Sequence, residues 1–380
     1  MKAVKKNIEV SVILPCQNEE KALGGCILEI KEVFKEYSLR GEIIVSDSSI
    51  DRSPIIAKEL GAVLIKHDKE GYGKAYLEGF KAAKGKYLFM ADPDRTYDFK
   101  EIPRFLNYLY QGYDFVIGNR FKGKVEKEAM PWLRRHVGNP ALSFILRVFF
   151  KAKIHDAHCG MRALTREALD KLNLQTTGME FASEMIVKVI KNGLRIKELP
   201  INYYQRKGSS KLKSFADGWR HLRFMLLYSP LYLFFLPGAV LFLLGLISML
   251  WLYFGSPVIL GIKFFFHPIF FSSLLIIVGY QIIIFSLFAK TYAITHLGEE
   301  SPRMNSLHKY LTIEKASIIG IIISLLGVII YAAIFFKWLS SGFGALQEIK
   351  NSVVALTLLV IGIQTIFSSF MLSILGIKEK

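Results

Sequence analysis

Four apolar runs, at about 229–254, 264–290, 316–338 and 352–376, constrain this chain more than any other feature. Crossing a hydrocarbon core of ~30 Å takes roughly 20 apolar residues as a helix, and each run is long enough. None offers the polar face that a helix on a soluble protein needs. Interior charge is nearly absent, so the second part of the chain is expected to be an all-α membrane domain of four transmembrane helices. Charge follows the same division. Beyond residue 228 there are nine Lys/Arg and five acids, leaving 40 and 27 in the first 228 residues. A basic domain over 1–228 thus precedes an apolar one over 229–380, and its excess charge points to anionic partners such as phosphates or anionic lipid.

The loops give an orientation. Arg206, Lys207, Lys211, Lys213, Arg220 and Arg223 precede the first run, Arg303, Lys309 and Lys315 lie between the second and third, and the tail reads "IKEK". Loops 255–263 and 339–351 hold only Lys263 and Lys350. Basic loops stay on the cytoplasmic side, which predicts a cytosolic N-terminal domain and both termini inside. The opening "MKAVKKNIEV" has no apolar core of signal-peptide length, so the first span is expected to serve as the insertion signal. Polar groups inside the spans are few (Gln281, Gln364 and scattered Ser), which reads as an anchor or lipid-contacting scaffold rather than a pump. Cys16, Cys26 and Cys159 have neither metal-ligand spacing nor an even disulfide framework.

Residues 1–120 alternate short β-rich runs ("EVSVILP", "GEIIVS", "GAVLIKH", "KYLFMAD", "YDFVIG") with amphipathic stretches at 19–37, 52–60, 73–84 and 101–111. That alternation predicts a mostly parallel α/β sheet with helices on both faces, whose ligands bind beyond the carboxyl ends of the strands. Three polar clusters fall at those ends: "PCQNEE", "SDSSIDRS" and "ADPDRTYD". The first can hold a base or ribose, or simply cap a helix. Asp47 in the second can accept from a base N–H, whereas Asp51 before Ser53-Pro54 reads as a helix cap. Gly71-Tyr72-Gly73-Lys74 is either a close approach to a nucleotide or a plain loop. In the third, Asp92 and Asp94 are alternate residues at a strand end, so both reach one point in the crevice. Mutually repelling carboxylates there fit a divalent metal, Mg²⁺ or Mn²⁺, carrying a phosphate. Asp98 reads as the cap of the helix that follows.

The order "VSVILPCQNEE", "EIIVSDSS", "GKYLFMADPD" resembles the family-two glycosyltransferases of GT-A (Rossmann-like) fold, and within them the polyprenyl-phosphate hexose synthases, such as dolichyl-phosphate mannose and dolichyl-phosphate glucose synthases. The resemblance covers about residues 8–225. It implies that Pro15, Gln17, Glu19 and Asp47 hold the nucleoside and that Asp92 and Asp94 hold the metal and the donor diphosphate. It further implies that Arg120 in "IGNRF" faces the acceptor phosphate, which Arg134 or Arg135 is expected to help hold. "HDAHCGMRAL" resembles the family's Asp-x-x-x-Gly-Phe-Arg stretch, giving Asp156, Gly160 and Arg162. "GMEFASEM" places Glu180 or Glu184 below the acceptor site. "YQRKGSSKLK" matches a loop gripping the donor phosphates through Arg206, Ser210 and Lys211. As catalytic residues the resemblance gives Asp94, Arg120 and Asp156. The segments 130–150 and 215–228, rich in Trp, Arg and apolar residues, are expected to lie in the membrane interface.

The expected activity is an inverting transfer of a hexose from a nucleotide sugar (UDP-glucose or GDP-mannose type) to polyprenyl phosphate. Two other readings are weaker. A processive polysaccharide synthase would show Gln-x-x-Arg-Trp, and "QRKGS" lacks the Trp. A non-catalytic flippase or scaffold would have no use for an intact Asp-x-Asp. No nucleic-acid recognition motif accompanies the basic charge.

Overall fold

The strand-forming runs are apolar on both faces, the pattern of a sheet covered on each side. In the computed structural model, which describes residues 8–68, 71–208, 214–255, 258–259, 262–263, 267–296 and 313–376, they form a seven-stranded sheet. Its strands are β1 Val10–Cys16, β2 Gly41–Asp47, β3 Val63–Lys66, β4 Tyr87–Met90, β5 Phe115–Asn119, β6 Arg162–Thr165 and β7 Ile196–Pro200, in the order β3-β2-β1-β4-β6-β5-β7. All pairings are parallel except those of β6, which runs antiparallel between β4 and β5. Every residue of β4 and β5 is buried, whereas β3, at the edge, leaves Val63 exposed and ends in a lysine, as sheet edges do.

The covering helices are the amphipathic stretches. Helix α1, Leu23–Glu36, buries Leu23, Cys26, Ile27, Ile30 and Val33, a stripe at the helical period. Helices α2 Ser53–Glu59, α3 Tyr72–Ala82 and α4 Ile102–Tyr110 complete the crossovers. Beyond β5 come α5 Asn139–Phe150, α6 Arg166–Leu172, α7 Phe181–Lys191 and α8 Ser214–Leu227. This is the GT-A-like arrangement, and β1, flanked by β2 on one side and β4 on the other, is where the crossovers change direction. The crevice that binds ligands in such sheets opens there.

Strand β6 departs from the periodicity that marks the others. It is four residues long and begins with Arg162, which no apolar pattern would place inside. The guanidinium is nonetheless buried because it donates to the carbonyls of Cys159 (2.9 Å), Ala182 (3.0 Å) and Ala157 (3.0 Å). Its bonds therefore staple β6 to the neighbouring loop and to α7.

Residues 1–228 and 229–380 are separate compact units. The second holds four helices long and apolar enough to cross a membrane: Leu231–Phe254, His267–Thr295, Ile313–Ser340 and Ile349–Gly376. Without a hydrophobic drive between helices in lipid, close approach depends on small residues. Gly238 and Gly245 let the first helix meet the second, and a Cβ on Gly245 would lie 2.7 Å from the Ile276 nitrogen. Gly320 and Gly327 do the same for the third against the fourth. Hydroxyl pairs, Ser273 with Thr357 (2.6 Å) and Ser248 with Ser272 (2.8 Å), satisfy polar groups between helices. Lys350 lies in the first turn of the fourth helix, not in the loop before it, and it is not an isolated charge. Its Nζ donates to the carbonyls of Leu252 (2.6 Å) and Gly255 (3.1 Å), capping the first helix.

Candidate active site

The register Cys16↔Asp47 brings the ends of β1 and β2 level. The loops that leave them are stitched together. Asn18, in the left-handed region at φ 53°, donates its N–H to Ser49 Oγ (2.7 Å) and accepts the N–H of Ile50 (2.9 Å) on its side chain. The Glu19 N–H donates to Ser53 Oγ (3.0 Å), and the Glu20 N–H to Asp51 Oδ2 (3.1 Å). Asp51 also accepts the Ser53 N–H (2.9 Å), so it turns the chain into α2 and ties the two loops at once. Pro15 and Gln17, both half-buried, sit beside this cradle.

Asp47 is fully buried, and among the described residues neither of its carboxylate oxygens has a hydrogen-bond partner. Burying a polar group unpaired costs several kcal/mol at the upper end of measured values, and native structures rarely tolerate it. A ligand N–H donor would remove the cost.

β4 hands over to the Asp92–Asp98 loop. Asp94 is buried, and its Oδ1 accepts from the Thr96 N–H (3.0 Å) and hydroxyl (2.5 Å), which fixes its rotamer. Its Oδ2 lies 3.5 Å from Nε of Arg206, whose Nη2 donates to Glu19 Oε1 (2.6 Å). The strand ends of β1 and β4 are thus bridged by one half-buried guanidinium. The segment carrying it is laid along the loop by backbone bonds, Tyr204 N–H to the Thr96 carbonyl and Lys207 N–H to the Asp94 carbonyl, both 3.0 Å. Ser210 and Lys211, expected to act with Arg206, lie outside the described residues.

Asp92 has no hydrogen-bond partner among the described residues. Burial first, and then the neighbouring Asp94 charge, push its carboxyl well above the usual carboxylate range. Gly160 makes room for it, since a Cβ there would lie 2.8 Å from Asp92 Oδ2. A pair of this kind fits a divalent cation, whose charge would reverse the upward shift. No three His, Cys, Asp or Glu side chains gather as a metal site among the described residues. Asp92 and Asp94 would therefore hold such an ion together with ligand and water oxygens. Asp98 accepts the Lys100 N–H (2.9 Å) at the start of the following helical turn, which makes it a cap.

Arg120 follows β5. Its Nε and Nη2 fork onto Asp156 at 2.8 Å each, and its own N–H donates to the same carboxylate (3.0 Å). The guanidinium lies over the Tyr203 ring at 5.2 Å. Asp156 is fully buried with both oxygens on Arg120, so it acts through Arg120, whose Nη1 edge alone remains without a partner among the described residues. Glu198, which no motif marked, holds Asp156 in place by accepting the N–H groups of His155 (2.7 Å) and Asp156 (2.9 Å). Burial raises the Glu198 carboxyl, but these N–H groups outweigh it and hold it below its ordinary range. Glu184 is buried and committed to structure, accepting from the Gln175 and Thr176 backbone and from Lys188. Glu180 is half-buried, and its Oε2 has no partner among the described residues. Arg134 and Arg135 begin the π-helical stretch Arg134–Gly138 that leads into α5.

Residues 11–172 match the model of the glycosyl transferase family 2, and residues 287–376 that of the glycosyltransferase family 2 C-terminal transmembrane region. A low-salt glycan biosynthesis hexosyltransferase, Agl6, of Haloferax volcanii is 40% identical over 97% of this chain and 89% of its own length. A dolichyl-phosphate hexose transferase of the same organism is 34% identical over 55% of this chain and 89% of its own. Among solved structures, glucosyl-3-phosphoglycerate synthase from Mycobacterium tuberculosis, in complex with Mn²⁺, UDP and glucosyl-3-phosphoglycerate, overlays with a TM-score of 0.48 at 20% identity, covering 58% of this chain and 80% of that one.

Proposed function

Since the chain belongs to glycosyl transferase family 2 and is an integral membrane glycosyltransferase, we propose that it moves a hexose from a nucleotide sugar to a polyprenyl phosphate with inversion, on the cytoplasmic side of the membrane. The observation that carries this reading is the row of adjacent strand ends, β2, β1 and β4, along which the partnerless Asp47, the Asp92–Asp94 pair and the bridging Arg206 are placed. One end suits a base and the other a diphosphate. The similarity to a dolichyl-phosphate hexose transferase supports the acceptor.

Each residue then has a task. Asp47 accepts from a base N–H, with the cradle of Pro15, Gln17 and Glu19 around the nucleoside. A Mg²⁺ or Mn²⁺ ion on Asp92 and Asp94 would neutralise charge on the departing diphosphate. Arg206 exchanges Glu19 for a phosphate oxygen, and Ser210 and Lys211 bind the same diphosphate. Arg120, clamped by Asp156, offers its Nη1 edge to the acceptor phosphate, with Arg134 or Arg135 beside it. A phosphate monoester is largely ionised at neutral pH, so attack on the anomeric carbon requires no strong general base. Positioning and electrostatic stabilisation carry the rate.

The stretch before and along α5 exposes Trp132, Leu133, Val137 and Phe144 among Arg134, Arg135 and Arg147, and α8 exposes Trp219 and Leu227. Seated in the membrane interface, these faces would deliver a lipid phosphate to Arg120. The distribution of basic loops supports an orientation with both termini inside.

Membranes containing the chain, incubated with labelled UDP-glucose, GDP-mannose and related donors plus polyprenyl phosphate, should yield a labelled, acid-labile lipid-phosphate sugar. Label in a polymer, or in no lipid with any donor, would overturn the reading.

A further inference from the structure

The loop Asp156–Gly160 is only five residues long, yet it is held from several directions by groups that no motif marked. The Ala157 N–H donates to Ser143 Oγ on α5 (3.2 Å). The Gly160 N–H donates to Tyr97 Oη (2.8 Å). Between them, His158 Nε2 lies 3.3 Å from Ser183 Oγ on α7, and the same hydroxyl lies 2.9 Å from His221 Nδ1 on α8. The two rings meet edge to face at 4.4 Å, and Ser183 and His221 are buried. His158 Nδ1 has no partner among the described residues, so Ser183 is the ring's one hydrogen-bond tie there.

A serine hydroxyl carries one proton. Facing two ring nitrogens, it donates to one and accepts an N–H from the other. The tautomer of His158 is therefore set by that of His221, and the loop is tied to α8 through a chain in which neither link stands alone. The groups facing His158 are Arg120 beyond β5, Arg162 on β6, Ser183 on α7 and His221 on α8, with Asp156 on its own loop. Three of these are basic, which favours neutral rings.

The ends of this loop are what matter. Asp156 sets the Arg120 fork, and Gly160 sets the space beside Asp92. Its middle is bonded to α5 through Ser143 and, by way of α7, to α8 through His221. The two helices that the functional reading seats in the interface thus converge on the residues that aim the acceptor-side cation.

We propose that the Asp156–Gly160 loop couples α5 and α8 to Arg120, with Ser143 and the Ser183–His221 pair as positioning residues for the acceptor half of the reaction. This rests on the reading of the acceptor as a polyprenyl phosphate. A shift of α5 or α8 moves Ala157 or His158, the loop moves Asp156, and the unpartnered guanidinium edge turns with it. The Gly160 end stays held by Tyr97 Oη, so the space beside Asp92, and donor binding with it, is untouched.

The full chain in lipid nanodiscs tests this, using whichever of UDP-glucose and GDP-mannose the wild type turns over. His221→Phe and Ser143→Ala should each lower kcat/KM for polyprenyl phosphate roughly tenfold, the size of one lost hydrogen bond. The dissociation constant of the nucleoside diphosphate should stay in place. His221→Asn, whose amide reaches the position of Nδ1, should recover activity to within about threefold of wild type. Unchanged acceptor kinetics, an equal loss in nucleotide binding, or an Asn variant no better than Phe would overturn the coupling. If the wild type labels no polyprenyl phosphate, the functional reading fails instead. The coupling is then read from amide exchange at Ala157, which His221→Phe should speed and His221→Asn should not; equal exchange in both would refute it.

Discussion

The two units bury polar groups to opposite ends. In the first, fully or nearly buried charges converge on one edge of the sheet: Asp47, Asp94, Arg120, Asp156 and Glu19. Some are left without partners, and others are paired in ways that a ligand could exchange. In the second, the buried polar groups among the described residues are Ser and Thr hydroxyls, several matched with one another across helices, and the Gln364 amide oxygen; none is charged. Charges are expensive to bury in either medium. Only the first unit accepts that cost, which locates the chemistry there and leaves the second to hold and present.

That contrast can be broken by experiment. The largest effect is expected from Asp94→Asn, which should lower transfer by roughly 10²–10³-fold while leaving the thermal midpoint of the first unit nearly unchanged. Wild-type turnover with unaltered metal dependence would remove the Asp pair from the chemistry. Next comes Gly160→Ala. The added methyl would meet Asp92 Oδ2 at 2.8 Å and Tyr97 Oη at 3.1 Å, and a displaced ligand carboxylate should lose about 10²-fold in turnover. Kinetics within a few-fold of wild type would show that Asp92 has slack.

The membrane unit should answer in stability rather than in turnover. Gly245→Leu forces side-chain atoms against Ile276 and Ser272 and should cost ~1–3 kcal/mol of stability, read as a lower midpoint in detergent. Turnover per folded molecule should hold to within about twofold. A collapse in turnover without loss of stability would make the spans part of the catalytic apparatus.

The smallest effect concerns pH. Burial first, then Arg162, hold the His221 ring down to about 4. Burial, His221, Arg162 and Arg120 hold His158 well below its ordinary value. Rings that stay neutral in the folded chain but charge when it unfolds contribute stability that is complete above the ordinary His value of ~6.5 and is lost as pH falls toward 4. Thermal midpoints at pH 7.5, 6.0 and 5.0 should fall more steeply in wild type than in His221→Asn. Parallel curves would return the acid sensitivity to the carboxylates.

Much of this architecture is legible in the amino-acid sequence. Apolar length alone marks four spans, and strand periodicity puts Asp47, Asp92 and Asp94 at one crevice. The cap at Asp98 follows from its place before a helical run. Partners are what a sequence hides. Glu198 meets Asp156 across 42 residues and Ser183 meets His221 across 38. Glu198 is brought level with β5 only by the register Ile117↔Glu198. Ser143 reaches Ala157 from a helix whose outward face carries the signal, not its inward one. The Arg120 motif supplies a residue type suited to phosphate but not the carboxylate that claims two edges of its fork. β6 escapes because four residues headed by an arginine carry no strand pattern, and the carbonyls that admit the arginine are scattered along the chain.

Lys350 gives the membrane unit a history as well as a shape. The carbonyls it caps belong to the end of the first span, 98 residues earlier. At ribosomal speeds of ~5–20 residues per second, synthesis of that interval lasts roughly 5–20 s. Throughout it, the end of the first span must rely on interfacial water for what Lys350 later supplies. The fourth helix is therefore the one that finishes the first, and this closure waits until the two helices between them have been made.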